Sequence, residues 1–306
     1  MKFKFNNMSH GDGVKNVSER MPMMRIYHFN DSVIEIDPRY LEEGVRVAEE
    51  EQFESIRIKG FVDDVDFKCD LDLAPLKDKK FIKNLAINNN FKLKSVANIE
   101  ALYSLVNMID FKVSLQIPID FSRLKQLEEL YLFNSCYENL ETLTNLKSLY
   151  IFGYSKQNCH ELRTLKELVY LRLSGSKKLE SLEGVEELEN LETCWLAKNN
   201  YLSEANSISK LSRLEWLHVE GCKTLTDYSF LNDNGSIKKL LISDLASLEF
   251  VKTMSALETI NFWNCKSGDL TPLLECPTLK EVSFHPEKRH YSHKRDTINN
   301  LLKNKS

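Results

Sequence analysis

Glycine and proline are scarce, 10 and 7 among 306 residues, which excludes a collagen-like chain and long low-complexity linkers. No window approaches 18 apolar residues without a charge, so no segment is expected to span a membrane as a helix. The start, Met1-Lys-Phe-Lys-Phe-Asn-Asn-Met-Ser-His10, has neither an apolar core nor a small-residue cleavage site, so no secretory leader is expected there. Positive charge is not in excess: 41 Lys and Arg against 45 Asp and Glu give a net charge of -4, the wrong balance for a protein held to nucleic acid by phosphate contacts. The seven cysteines are an odd number without CxxC pairs, as expected of reduced thiols in a cytoplasmic protein. Nucleotide-binding, serine-hydrolase and metalloprotease motifs are also missing, so neither catalysis nor a cofactor is expected.

What the chain does have is leucine at fixed intervals. Apolar residues make up 42% and charged residues 28%, a soluble globular composition. The clearest unit is Leu165-x-x-Leu168-x-x-Leu171-x-Leu173. It recurs from Leu124, Leu143, Leu188 and Leu211, and in shorter form at Leu85-x-Ile87, Leu105-x-x-Met108, Leu240-x-Ile242, Leu257-x-x-Ile260-x-Phe262 and Leu279-x-x-Val282-x-Phe284. Taking 85, 108, 130, 149, 171, 194, 217, 240, 260 and 282 as core positions, the step is 19 to 23 residues. The L-x-L segment alternates as a short strand with one buried face does. The preceding L-x-x-L spacing suits a 3₁₀ segment on the opposite side. Asn90, Asn199, Cys222 and Cys265 fall three residues after the second strand position, where a small polar group can satisfy backbone inside a bend. One such turn cannot bury its leucines alone, whereas stacked neighbours can.

In these units the chain resembles the leucine-rich-repeat family over residues 53–285. Asp72-Leu-Ala-Pro-Leu76 and its echo Asp269-Leu-Thr-Pro-Leu273 are similar to the short-repeat class of bacterial internalins. The resemblance implies an α/β fold: a right-handed curved solenoid of ten to eleven turns with a parallel β-sheet on its concave side. It also implies a protein-binding role. The host-interaction role of internalins is not expected, since no leader or anchor is expected from the sequence, and no catalytic domain is expected beside the repeats.

Residues 1–52 are expected to form an N-terminal flexible segment and cap, with a strand near Ser32–Asp37 and a helix entered through Asp37-Pro38. Residues 286–306 are expected to form a basic C-terminal cap with a short helix from Asp296. His10-Gly-Asp-Gly13 has the composition of a turn. His285, His290 and His293, with Cys276, match no tetrahedral spacing, so no metal is expected. The basic run 288–295 and the acidic run 49–51 read as solvated faces. Buried structural thiols are expected at Cys194, Cys222 and Cys265.

The residues before, between and after the L-x-L positions point away from the core. For the third to eighth turns these are Asn107/Ile109/Phe111, Glu129/Tyr131/Phe133, Ser148/Tyr150/Phe152, Tyr170/Arg172/Ser174, Thr193/Trp195/Ala197 and Trp216/His218/Glu220, and Trp263 follows in the tenth. Eight of those 18 positions are aromatic, where a chain average of 10% gives about two. Strand propensity and ring packing account for part of the enrichment. A contiguous aromatic strip about 25 Å long over six turns, flanked by Arg172, His218 and Glu220, has the composition of a binding hot spot. The expected function is therefore a non-enzymatic protein–protein interaction module, an inhibitor or immunity-type protein. Its partner-binding residues are Tyr131, Phe133, Tyr150, Phe152, Tyr170, Arg172, Trp195, Trp216, His218, Glu220 and Trp263. The expected partner is another protein, with no nucleic acid and no membrane, and the chain is expected to be a monomer on its own. The rival is a carbohydrate-binding module using the same rings, weakened by the few Asp and Asn beside them.

Overall fold

The computed structural model describes residues 27–29, 32–60, 68–88, 90–133 and 136–305. The His10–Gly13 tetrapeptide and most of the flexible segment expected at the N-terminus lie outside them. The chain divides into two compact units, Met1–Met108 and Ile109–Ser306.

In the first unit, β1 (Tyr27–Phe29) runs antiparallel to β2 (Val33–Ile36). Strands β2, β3 (Ser55–Ile58) and β5 (Asn84–Ile87) are parallel and in register, so Ile34, Ile56 and Leu85 align, as do Ile36, Ile58 and Ile87. All six are buried. The opposite face carries Glu35, whose side chain is buried and bridged to Arg57 at 2.7 Å and Lys59 at 2.5 Å. Asp37 caps the 3₁₀ turn Pro38–Tyr40 by accepting from the Arg39 amide at 3.0 Å, with Pro38 in the first turn. Helix α1 (Leu41–Glu50) follows and buries Leu41, Val45, Val47 and Ala48. Its Gly44 lies so close to Ile36 that a Cβ there would overlap the isoleucine. Strands β4 (Lys68–Asp72) and β6 (Lys92–Ala97) form a separate parallel pair.

The second unit carries the site. Its main sheet holds β7 (Asp110–Val113), β9 (Glu129–Phe133), β11 (Ser148–Phe152), β12 (Tyr170–Ser174), β13 (Thr193–Ala197), β14 (Trp216–Glu220), β15 (Lys239–Leu245), β16 (Thr259–Cys265) and β17 (Glu281–Phe284), each parallel to the next. A small pair, β8 (Ile119–Asp120) with β10 (Tyr137–Glu138), lies apart from it. Residues 130, 149, 171, 194, 217, 240, 260 and 282 align across the main sheet as one buried row, and Leu132 to Phe284 form the second. Between strands the chain returns through short 3₁₀ segments such as Leu140–Thr142, Val185–Glu187 and Ser229–Leu231, and once through helix α2 (Thr271–Glu275). Each return buries an apolar side chain, a leucine or valine in most and Phe121 or Ile208 in two. Neighbouring turns thus complete one another's core.

One register differs from the sequence expectation. Met108 was expected at a core strand position, with Asn107, Ile109 and Phe111 pointing outward. In the structure Phe111 lies opposite Leu130, and Phe111 and Val113 are fully buried, so Asp110 and Lys112 take the outward positions. The full unit is Leu105-x-x-Met108-x-x-Phe111-x-Val113, its strand leucines replaced by an aromatic and a β-branched residue. Phe111 is core, and seven of the eight aromatic positions remain on the open face.

The C-terminal end is covered by α3 (Arg295–Lys303), which buries Ile298 and Leu302. Gly268 has a φ of +71° and no room for a Cβ against His290. His290 Nε2 hydrogen-bonds the Cys265 carbonyl at 3.2 Å, and His293 Nδ1 the Ser292 hydroxyl at 2.8 Å. Among the described residues no three His, Cys, Asp or Glu side chains gather as metal ligands, and no helix is long and apolar enough to cross a membrane.

Candidate functional site

Parallel strands in register set equivalent side chains about 4.8 Å apart, close to the distance at which flat groups stack. The middle outward row of the second unit uses that coincidence. Tyr131, Tyr150, Arg172, Trp195 and His218 are direct register partners on β9, β11, β12, β13 and β14. The Tyr131 and Tyr150 rings meet edge to face with centroids 4.4 Å apart. The Arg172 guanidinium lies between two rings, 4.7 Å from the centre of Tyr150 and 4.2 Å from that of Trp195. The His218 imidazole stacks on Trp195 at 3.9 Å and 19°. The result is one column of five groups across five strands, held by cation–π and stacking contacts worth about 0.5–2 kcal/mol each.

The flanking rows brace the column. Phe133 and Phe152 stack at 4.4 Å and 10°. The edge of Phe152 extends over Gly175, where a Cβ would sit 2.8 Å from the ring. Trp216 tilts against Trp195 at 6.0 Å and keeps 39% of its surface exposed. Tyr170, next to Arg172, is half-buried, and burial raises its pKa against the pull of that guanidinium. The Glu220 carboxylate accepts from His218 Nε2 at 3.1 Å. Trp263 is exposed at 43% but stands apart, with no ring partner among the described residues. Lys239, Leu241 and Ser243 on β15 separate it from the column.

Electrostatics differ along the face. Burial, helped by Tyr150, pushes the Tyr131 hydroxyl up to about 12. Burial lowers the His218 pKa, against the opposing hydrogen bond to Glu220, so its imidazole favours the neutral state. At the far end Glu129 is raised by burial and by Asp110, and Lys112 pairs with Asp110 at 2.5 Å. Two buried atoms of the column have no hydrogen-bond partner, Trp195 Nε1 and His218 Nδ1.

Asp110 and Lys112 escaped the sequence reading because the third turn was set out of register. Ser174, whose hydroxyl accepts from Arg172 Nε at 3.3 Å, was in the outward set but carried no signal of its own. The thiols of Cys159, Cys194 and Cys222 are buried and pushed up by that burial, which keeps them protonated and unreactive.

No protein-family model and no curated protein matches the sequence. Among solved structures, an internalin of Listeria monocytogenes is similar over 85% of this chain and 83% of its own, at 14% identity and a TM-score of 0.52. A leucine-rich-repeat protein of Leptospira interrogans matches over 71% of each chain at 17% identity, with a TM-score of 0.42. With the in-register parallel strands and their buried leucine rows, the first of these likenesses establishes the fold as a leucine-rich-repeat solenoid similar to that of an internalin.

Proposed function

We propose that this chain is a non-enzymatic interaction module that binds a partner protein on the open face of its second unit. The observation that supports this reading is the stacked column from Tyr131 to His218. Its groups are immobilised before any partner arrives, so binding loses little side-chain entropy, and its rings offer large area at few rotors. A preformed face suits masking another protein's surface, as an inhibitor or immunity-type protein does. The seven free cysteines favour a reducing compartment, the cytoplasm. Sugar binding is less favoured because the ring faces are already in use: Trp195 is covered by Arg172 and by His218, and Phe133 by Phe152.

Affinity capture from native lysate tests the reading, comparing the wild type with a Tyr150→Ala/Trp195→Ala/Trp216→Ala variant of unchanged thermal unfolding. A protein held by the wild type and lost by the variant is the expected result. Equal retention by both moves the interface off this face. Retention of nothing, with a positive glycan array, replaces the protein partner by a carbohydrate.

A further inference from the structure

The column also specifies what kind of group the face receives, an inference that rests on the function just proposed. Arg172 is half-buried and clamped between Tyr150 and Trp195, yet no acidic side chain among the described residues pairs with it. The nearest candidate by register, Glu220, is committed to His218. The side chains that meet the guanidinium are neutral hydroxyls, that of Ser174 at the long distance of 3.3 Å and that of Tyr170. Beside it, Trp195 Nε1 is buried without an acceptor, and an indole nitrogen can only donate. A permanent cation and a buried donor therefore adjoin in one row with no anion between them. Buried donors left unmet are destabilising until an acceptor arrives.

We propose that the face binds a polypeptide segment whose Asp or Glu carboxylate seats on Arg172 and Trp195, with apolar side chains on either side of it. A carboxylate supplies two oxygens in the geometry a guanidinium fork accepts. The flanks select against a more highly charged group. Phe152, Trp216 and Tyr150 are apolar surface, and Glu220 and Glu129 add negative charge to the same face. A single negative charge amid apolar neighbours is the best complement, and a phosphorylated segment is a poorer one.

Selection of a displayed library of random peptides tests this on three proteins: wild type, Arg172→Gln and the Tyr150→Ala/Trp195→Ala/Trp216→Ala variant. The wild type is expected to enrich peptides with one acidic residue bracketed by apolar ones. A synthetic peptide of that consensus should lose about tenfold in affinity when its acid becomes the matching amide, as loss of a charge-assisted pair implies. On Arg172→Gln the acid and amide peptides should bind alike. If Arg172→Gln fails to fold, Arg172→Lys, which keeps the charge and loses the fork, is expected to narrow the difference between the acid and amide peptides without abolishing it. Acid-free consensus peptides lost on the triple variant would overturn the carboxylate inference while leaving the face a polypeptide site. Enrichment that ignores the triple variant would remove the function reading as well. No enrichment on the wild type, or enrichment only of phosphorylated peptides added as a separate pool, also overturns the inference.

Discussion

At the scale of single residues, the open face depends on backbone that most side chains avoid. Each strand from β11 to β14 is followed by a left-handed residue: Gly153 at φ +78°, Gly175 at +65°, Lys198 at +55° and Gly221 at +63°. At Gly175, Gly153 and Lys198 the amide bonds across the turn, Gly175 N donating to the Ala197 carbonyl at 2.8 Å and Lys198 N to that of Glu220 at 2.7 Å. Lysine at this position carries strain that glycine does not. Lys198→Gly is therefore expected to raise the denaturation midpoint, by about 0.5 kcal/mol once glycine's greater unfolded entropy is deducted. Gly175→Ala should do the reverse, because the added Cβ meets both the left-handed backbone and the Phe152 ring. A loss of about 2 kcal/mol or more is expected. Urea unfolding of the two variants beside the wild type measures both, and an unchanged midpoint for Gly175→Ala would show that Phe152 is free to move.

At the scale of the repeat element, what closes each bend is a polar side chain reaching into the turn before it. Asn199 is fully buried; its Oδ1 accepts from the Ser176 amide at 3.0 Å and its Nδ2 donates to the Leu173 carbonyl at 2.9 Å. Ser176 repeats the pattern one turn earlier, donating to the Tyr154 carbonyl at 2.6 Å. The Cys222 thiol repeats it one turn later, weakly, toward the Leu196 carbonyl at 3.8 Å. Replacing Asn199 by Leu strands a buried amide and a buried carbonyl, so a loss of about 2–4 kcal/mol is expected. Cys222→Ser, which keeps a small donor in place, should stay within about 1 kcal/mol. Thermal unfolding that ranks the two the other way would deny the ladder its structural role. Much of this element was legible beforehand. Asn199 and Cys222 were found by their distance from the strand, and Asp72 and Asp269 were paired by their shared motif. In the structure each accepts from the amide two residues on at 2.9 Å. Ser176 was missed because serine is common in any loop. Phe111 was misplaced because a phenylalanine at a leucine position hides the repeat. The β4–β6 and β8–β10 pairs were not found: β6 is largely exposed, β8 and β10 are two residues long, and the alternation of β4, with Cys69 and Leu71 buried, lies outside the leucine spacing. Register alone placed Arg172 between Tyr150 and Trp195. That Trp195 Nε1 finds no acceptor depends on ring torsions, which no spacing encodes.

At the scale of the molecule, a stack of parallel strands has an end, and an uncovered end is a template for another chain. Strand β17 is the last in its sheet, and α3 occupies its free side as a further strand would. The Val282 amide donates to Asn299 Oδ1 at 2.9 Å, and Asn299 Nδ2 donates to the Val282 carbonyl at 3.0 Å. One asparagine thus reproduces the donor–acceptor pair of a neighbouring strand, while Ile298 and Leu302 anchor the helix from the same face. Tyr291 completes the cover, its ring 5.5 Å from Phe284 and its hydroxyl accepting from the Cys265 amide at 3.1 Å. Burying a charge beneath the helix should undo this arrangement without touching the aromatic column. Ile298→Asp is expected to release α3, expose the β17 edge and produce association that grows with concentration. Sedimentation velocity across a concentration series measures it. Asn299→Ala, which removes the edge pairing but keeps the helix anchored, should show the same trend more weakly. If Ile298→Asp keeps the sedimentation coefficient of the wild type at every concentration, the edge is protected by its short length and by Glu281 rather than by the helix. Binding at the column should survive in both variants, because the turns from β9 to β14 complete one another's core without the last strand.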